Sequence, residues 1–346
     1  VLEKGEPVIK FLPTKDKREV AICGVVRLQN VREISLKSFQ DSLTQRNNKS
    51  LVDSGKFSDP PILEDIKSVE VEKNDIEAMK KCEVGKCDLK MSASMVKRLQ
   101  TEIDWNSPDY STQSAQLFRQ MLFDYVKDYS TNGNSALLQL DNQKKSIRLD
   151  EEHQDLLNKL LFINEFTLEF AKYLETFPRS APKGVENEFY WSKIKFGLKP
   201  IITLTHKATY QRQDENNTQF LIVTKQIYAS RYVDSSLALT FFLSFPNSET
   251  YLLFTNLSRS ESLDGMFSEL KRNIVEREAK EKATELLQQA KARMEFGSTS
   301  EAESTSQTNE NGIIKQIWNQ LQKPIIQIIL FLFLAIIIVF FYRRKS

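Results

Sequence analysis

The sequence predicts an α+β fold: a mostly helical N-terminal part, then an antiparallel sheet with a long closing helix, plus one C-terminal transmembrane helix. Three observations lead to this prediction. Apolar residues recur at helical spacing in parts of the first half, an alternating segment and further apolar segments with short links follow residue 184, and a stretch near the carboxyl end is almost purely apolar. These patterns are typical of amphipathic helices, half-buried strands and a membrane span.

Residues 1–183 are predicted to form an α+β N-terminal domain in which helices dominate. The segment Val20–Leu28 is apolar enough for a strand, and we expect it in a short strand pair. Residues 114–129 and 152–176 carry apolar side chains at helical spacing. The apolar face of the second segment is wide, so we expect a largely buried helix that ends at Phe177-Pro178.

Residues 184–296 are predicted to form an antiparallel sheet with one long helix, in a helix-grip-like arrangement. The segment Ile202–Tyr210 alternates with the period of a half-buried strand. Short polar links connect it to further apolar segments, which indicates antiparallel pairing; these segments are 220–229, 237–245 and 251–255. Apolar residues from Leu263 to Met294 then predict a helix of about thirty residues that can cover one face of the sheet.

A transmembrane helix is predicted over residues 324–342. Every residue from Ile325 to Phe341 is Ile, Leu, Phe or Val except Gln327 and Ala335. A helix of about 18 residues spans roughly 27 Å, which is close to the thickness of the hydrocarbon layer. The alternative is a buried core helix, but helices in soluble domains rarely lack a polar face over five turns.

Three further segments flank this predicted helix. Residues 297–311 contain no large apolar side chain, so we expect a flexible linker. Residues 312–323 are predicted to form a juxtamembrane segment, and residues 343–346 a short basic tail. Because cations concentrate on the cytoplasmic side, the tail is predicted to be cytoplasmic and the body to lie outside the cytoplasm. The alternative topology is a tail-anchored protein with a cytoplasmic body.

Composition argues against several classes of function. Lys and Arg total 48 against 46 for Asp and Glu, and the charges are interspersed, so we expect no nucleic-acid partner. Only 10 glycines occur, which is few for phosphate-binding loops. No nucleophile elbow, zinc-protease or P-loop pattern is present. We therefore expect no cofactor and no metal.

Five sequence blocks of the body are distinctive: GKFSDPP at 55–61, CEVGKCDLKMS at 82–92, EIDWNSPD at 102–109, YWSKIKFGLKP at 190–200 and KQIYASRYVDSSLALT at 225–240. Together they resemble an uncharacterised family of bacterial membrane-anchored envelope-type proteins. The resemblance implies an envelope location and brings no established activity. The second half also resembles the START-type helix-grip lipid-binding domains, in architecture alone.

The cysteines predict one disulfide. Cys82 and Cys87 are separated by four residues, and Cys23 is left over. In an oxidising compartment such a close pair oxidises readily. A metal site is the alternative, but neither histidine lies near this pair in the sequence.

The candidate ligand-binding residues lie on the predicted sheet. His206 falls on the apolar side of its strand, and Lys225, Tyr228, Arg231 and Tyr232 follow near the end of another. If the closing helix leaves a gap over the sheet, these side chains line an apolar cavity with polar groups. Ordinary sheet residues with exposed tips remain the alternative.

The second histidine and the nearby carboxylates give no catalytic signal. His153 follows Glu151 and Glu152 at a charged helix start, and we expect it to be solvated. The predicted function is therefore a single-pass, non-catalytic binding protein of the bacterial inner (plasma) membrane. Its extracytoplasmic or periplasmic body would bind an apolar ligand or an envelope protein partner, with the lipid bilayer as a further partner. An enzyme of unrecognised class that uses His206 with carboxylates is the alternative.

Overall fold

The computed structural model describes residues 2–31, 34–43, 50–160, 167–196, 199–214, 217–244, 249–265 and 268–297. Contacts group Val1–Thr299 into one compact unit and Ser300–Ser346 into another, and no residue of the second unit is among those described. The fold below is that of the first unit.

Ten strands and seven α-helices occur in these ranges. The strands are β1 (Val8–Leu12), β2 (Glu19–Leu28), β3 (Leu51–Lys56), β4 (Gln139–Leu140), β5 (Ile147–Arg148), β6 (Val185–Phe196), β7 (Lys199–Asp214), β8 (Asn217–Ala229), β9 (Ser235–Ser244) and β10 (Thr250–Arg259). The helices are α1 (Leu36–Ser42), α2 (Lys73–Lys80), α3 (Ala93–Glu102), α4 (Tyr110–Asn132), α5 (Leu149–Lys159), α6 (Leu168–Thr176) and α7 (Ser268–Gly297).

Eight of the strands form one sheet in the order β1-β2-β10-β9-β8-β7-β6-β3. Every neighbouring pair is antiparallel. The strands β4 and β5 form a separate two-stranded ribbon directly before α5. Because β2 pairs with β10, the sheet joins strands that lie far apart in the sequence.

Alternate side chains of the central strands enter two different cores. On one face Phe220 and Phe242 pack with Phe39 of α1, at ring-centroid distances of 5.4 and 5.9 Å from Phe39. Leu287 and Ala290 of α7 join the same core. The long helix therefore covers one face of the sheet, as the apolar period of its sequence predicts.

The opposite face is covered by helices from the first half of the chain. The Tyr125 hydroxyl of α4 donates to the Ile227 carbonyl of β8 at 2.9 Å. The Tyr228 hydroxyl of β8 donates to the Lys90 carbonyl, also at 2.9 Å. Both hydroxyls are buried, and each needs a partner to offset the loss of water. These two hydrogen bonds hold α4 and the segment around Lys90 against the sheet.

The helix α5 lies on this second face and carries much of the site described below. It begins at Leu149, directly after β5, and its first turn holds Asp150, Glu151 and Glu152. Carboxylates in the first turn interact favourably with the helix dipole. The segment predicted as one helix over 152–176 contains α5 and α6, with residues 161–166 between them outside the described ranges. The end predicted at Phe177-Pro178 agrees with the end of α6 at Thr176.

The predicted fold class is wrong. A mostly helical first part was expected to precede a separate sheet, but β1, β2 and β3 belong to the same eight-stranded sheet as β6–β10. The short strands β1 and β3 lie at the two edges of the sheet, and β3 is mostly exposed. Edge strands of five or six residues with little buried surface give no strong alternation, so their sequences do not indicate sheet membership.

The membrane helix of the predicted fold class also has no counterpart in the described part of the chain. No helix there is both long and apolar enough to cross a bilayer. The predicted helix over 324–342, the juxtamembrane segment 312–323 and the tail 343–346 all lie outside the described residues. Of the predicted linker 297–311, only Gly297 is described, and it is the last residue of α7.

The sulfur atoms of Cys82 and Cys87 lie within disulfide-bonding distance, with their Cα atoms 4.5 Å apart. Gly85 between them has a φ of +82° and donates its N–H to the Asp141 carbonyl at 2.7 Å. This φ suits glycine because it has no Cβ. The structure confirms that the two cysteines of the predicted pair are close enough to form a disulfide. The loop between them packs against residues 141–142.

We expect thiol titration of the unreduced, denatured protein to count one thiol, that of Cys23. After reduction the same titration should count three, because the chain holds three cysteines. A disulfide that closes so short a loop stabilises the fold by roughly 2 kcal/mol in the chain-entropy model. A count of three before reduction would contradict the pairing.

Candidate functional site

A row of side chains crosses the centre of the sheet on the face beneath α4 and α5. In the register of the strands, Phe189 of β6 pairs with His206 of β7, His206 with Lys225 of β8, and Lys225 with Leu237 of β9. Directly opposed residues of antiparallel strands point to the same face. The sheet thus brings two of the sequence-predicted residues, His206 and Lys225, into contact range of each other.

A cavity of about 580 Å³ lies above this row, between the sheet and the helical layer. Its wall surface is more apolar than polar. The volume falls within the range of roughly 300 to 1,000 Å³ that small-molecule sites occupy. The lining residues are Tyr129, Asn134, Leu137, Asp150, Glu151, His153, Gln154, Asp155, Leu157, Asn158, Leu174, Phe177, His206, Ala208, Val223, Lys225 and Leu237.

Lys225 supplies the cavity with a hydrogen-bond donor. Its Nζ donates to Asn134 Oδ1 at 2.6 Å and lies 5.4 Å from the centroid of the Tyr129 ring. The Asn134 amide group donates to the carbonyls of Leu174 and Glu175 at 3.0 and 2.8 Å, which turns its oxygen towards the lysine. In the part of the chain that the structure describes, no carboxylate lies within 4.0 Å of this Nζ. Burial lowers the pKa of Lys225 to about 7, and the charge of Asp150 opposes that shift.

Both ring nitrogens of His206 have a hydrogen-bond partner. Nε2 lies 2.9 Å from Asn187 Oδ1, and Nδ1 lies 3.0 Å from the Tyr129 hydroxyl. The arrangement fits a neutral ring in which Nε2 donates and Nδ1 accepts the Tyr129 proton. His206 is 3% exposed. Burial, together with the positive charge of Lys225, lowers its pKa to about 3, so the ring is neutral at neutral pH.

His153 of α5 is a second neutral histidine in the wall. It is 4% exposed, and its Nε2 donates to the Gln226 carbonyl at 2.9 Å. Within the described residues its Nδ1 has no partner. Burial holds the pKa of His153 well below its usual range, and the charge of Lys225 adds to the effect. The expectation that His153 is solvated is wrong, because α5 lies flat on the sheet instead of projecting into water.

The carboxylates in the cavity wall are already paired with cations outside it. Arg148 pairs with Asp150 at 2.6 Å and with Glu151 at 3.1 Å. Asp155 pairs with Arg259, and Lys159 lies 3.3 Å from the same carboxylate. Each of these carboxylates thus has a cationic partner, although Arg148 is shared by two of them, and Lys225 is the charged group of the wall that has no ionic partner among the described residues.

No known protein family matches the chain. No curated protein sequence matches it either. The site therefore has to be interpreted from its own geometry.

Three of the five predicted ligand-binding residues do not line this cavity. The Tyr228 hydroxyl donates to the Lys90 carbonyl in the core, and burial raises its pKa. The Arg231 guanidinium binds Asp75 through Nη2 at 2.5 Å, so it holds α2 against the sheet. Tyr232 has a φ of +60° in the turn between β8 and β9, and its carbonyl accepts from the Ser260 hydroxyl at 2.6 Å. None of these three residues is among those that line the cavity.

The described residues contain no cluster that suggests a metal site. No group of three or more His, Cys, Asp or Glu side chains in those ranges is arranged to hold a metal ion. The polar groups of the cavity wall are instead one amine, three amides, one tyrosine hydroxyl, two neutral imidazoles and three ion-paired carboxylates. Such groups bind ligands by hydrogen bonds and charge.

Proposed function

We propose that this protein is a non-catalytic binding protein for an apolar ligand, held between the sheet and the helix α5. The observation that supports the proposal is the cavity of about 580 Å³ with its mainly apolar walls and a few convergent polar groups. Ligand sites typically combine these features, because burial of apolar surface gives affinity and a few polar groups orient the ligand.

The alternative, an enzyme that uses His206 as a base, has less support. Among the described residues, the ring nitrogens of His206 contact Tyr129 and Asn187, neither of which is a carboxylate. A general base near neutral pH needs a pKa close to 7, and that of His206 is about 3. His206 therefore fits better as a rigid part of the wall, and the binding hypothesis is the one that we carry forward.

We also propose a location for the protein, at a bacterial plasma membrane. The apolar stretch at 324–342 and the cations that follow it support attachment of the body to the outer side of a bacterial plasma membrane. The proximity of Cys82 and Cys87 is compatible with such an oxidising compartment. The resemblance to envelope-type proteins supports the same location.

We expect purified full-length protein to carry apolar molecules that lipid extraction and mass spectrometry detect. Leu157→Trp should remove them, because Leu157 lines the cavity from α5 and a larger side chain would fill the space. Leu168→Trp is the matched control: Leu168 lies on α6, is 51% exposed and does not line the cavity.

The two variants separate binding in the cavity from binding to the surface. If Leu157→Trp retains the molecules at the level of the control, the cavity is not their site. If the wild-type protein is empty and also fails to take up added apolar compounds, the proposal is wrong, and a protein partner becomes the better hypothesis.

A further inference from the structure

The ammonium group of Lys225 determines which kind of ligand the cavity can bind well. Its ammonium has three donors, and Asn134 Oδ1 accepts one of them. The Tyr129 ring face offers a further favourable contact, but a ring carries no charge to balance the ammonium. A partly buried ammonium loses some of its hydration, and an anion that enters the cavity would compensate for that loss by pairing with it.

The groups around Lys225 do not supply its counter-ion. The rim carboxylates Asp150, Glu151 and Asp155 pair with Arg148 and Arg259, and none of them lies within 4.0 Å of the Lys225 Nζ. The titratable groups that face Lys225 from other elements are His206 on β7, His153 on α5 and Tyr129 on α4. All three are neutral at neutral pH, since burial lowers the pKa of both histidines and raises that of Tyr129.

We propose that the cavity selects monocarboxylates with an apolar chain, whose head group binds the Lys225 ammonium. This inference rests on the proposed function and adds the ligand class to it. One carboxylate balances one ammonium, whereas a phosphate monoester with two charges would leave one of them buried and unpaired. The apolar walls formed by Leu157, Val223 and Leu237 receive the chain.

The test uses three probes that share one ten-carbon chain: decanoate, decanol and decylamine. Binding to full-length protein is measured by isothermal titration calorimetry at pH 6.5. Decanoate should bind most tightly and decylamine most weakly. Lys225→Met should weaken decanoate binding by about 10- to 100-fold, because a hydrogen bond to a charged group is lost, and leave decanol binding unchanged.

Two control variants separate the ammonium from other effects of substitution. Lys207→Met makes the same change on β7, where the lysine binds Glu188 at 2.7 Å and does not line the cavity. It should leave all three affinities unchanged. Lys225→Arg keeps a positive charge and should keep the preference for decanoate.

The dependence on pH is a second readout. Decanoate binding to the wild-type protein should weaken as pH rises from 7 to 9, because the ammonium loses its proton above a pKa of about 7. In Lys225→Arg the affinity should stay constant over that range, since a guanidinium keeps its charge. A purely structural lysine would not produce this difference.

The outcomes distinguish this inference from the function on which it rests. Equal affinity for the three probes, with no effect of Lys225→Met, would leave the apolar site standing and overturn its preference for carboxylates. Decyl phosphate is titrated as a further probe, and tighter binding of it than of decanoate would overturn the inference as well. If none of the probes binds, the proposed function itself fails.

Discussion

Arg259→Met is expected to lower the free energy of unfolding by about 3 to 5 kcal/mol, the usual cost of removing one partner from a buried ionic network. Arg259 is 4% exposed at the end of β10. Its Nε binds Glu19 of β2 at 2.9 Å, its Nη1 binds Glu152 of α5 at 2.8 Å, and it also contacts Asp155. The guanidinium thus joins two strands and the helix that covers the cavity.

The large expected cost comes from the group that is left behind. Glu19 is 1% exposed, and without Arg259 the one ionic partner left to its carboxylate among the described residues would be Lys159, at 2.5 Å. Urea denaturation of full-length protein measures the effect. The double variant Glu19→Gln with Arg259→Met should recover part of the loss, because no buried charge is then unbalanced.

An exposed arginine provides the control for this prediction. Arg98 of α3 binds Glu102 and Asp124 at 2.7 and 3.0 Å, with each side chain a third or more exposed. Arg98→Met should cost about 0 to 1 kcal/mol, since solvent screens such pairs. Similar losses for the two arginine variants would show that the Arg259 network has no special role.

Acid should weaken the same network. The hydrogen bond from Arg259 holds the pKa of Asp155 below its usual value, and burial opposes that shift. A carboxyl whose pKa is lower in the folded state stabilises the fold above its unfolded pKa of about 3.9. That contribution is lost as pH falls through the lower, folded value. The contact between α5 and the ends of β2 and β10 should therefore loosen on acidification.

Four of the five strands of the second half could be predicted, one from alternation and three from apolar segments with short polar links, whereas β6 (Val185–Phe196) was not expected. The segments expected at 220–229 and 237–245 correspond to β8 (Asn217–Ala229) and β9 (Ser235–Ser244). The joining of β2 to β10 could not be predicted in this way. The two strands lie far apart in the chain, and pairing between distant segments leaves no local period.

Part of the candidate site was visible in the sequence, and part of it was not. Alternation placed His206 on the apolar side of its strand, and Lys225 was expected near the end of another strand. The position predicted for the cavity is wrong, because the long helix α7 covers the other face of the sheet. His153 was misassigned although a signal exists: with Leu149, Leu156 and Leu160 it occupies one face of a helix, and all four are buried. The prediction instead relied on the charged residues Glu151 and Glu152 beside it, which are typical of a solvated helix start.

Tyr129 and Asn134 carried no comparable signal. They lie about the end of α4, far from β8 in the sequence, and contact Lys225 only because the helical layer is folded onto the sheet. Tertiary packing alone determines this contact. A polar residue at a helix end is common, and nothing local distinguishes Asn134 from others of its kind.

The backbone turn that positions Asn134 leads to the second large expected effect. Gly133 ends α4 with a φ of +60°, and a Cβ built on it would overlap with the carbonyl oxygen of Phe177. Gly133→Ala should therefore cost about 3 kcal/mol or more, because backbone strain and a clash with another backbone act together. It should also weaken decanoate binding, since Asn134 and Phe177 both line the cavity.

Gly265→Ala separates the clash from the strain. Gly265 has a φ of +80°, and nothing lies within 4 Å of a Cβ built there. Its substitution should cost about 1 kcal/mol, which is the strain alone, with no effect on binding. The two variants are compared by urea denaturation of full-length protein. Equal losses of stability in the two variants would mean that the Phe177 backbone moves aside freely. The turn at Gly133 would then have no special part in holding Asn134 against Lys225.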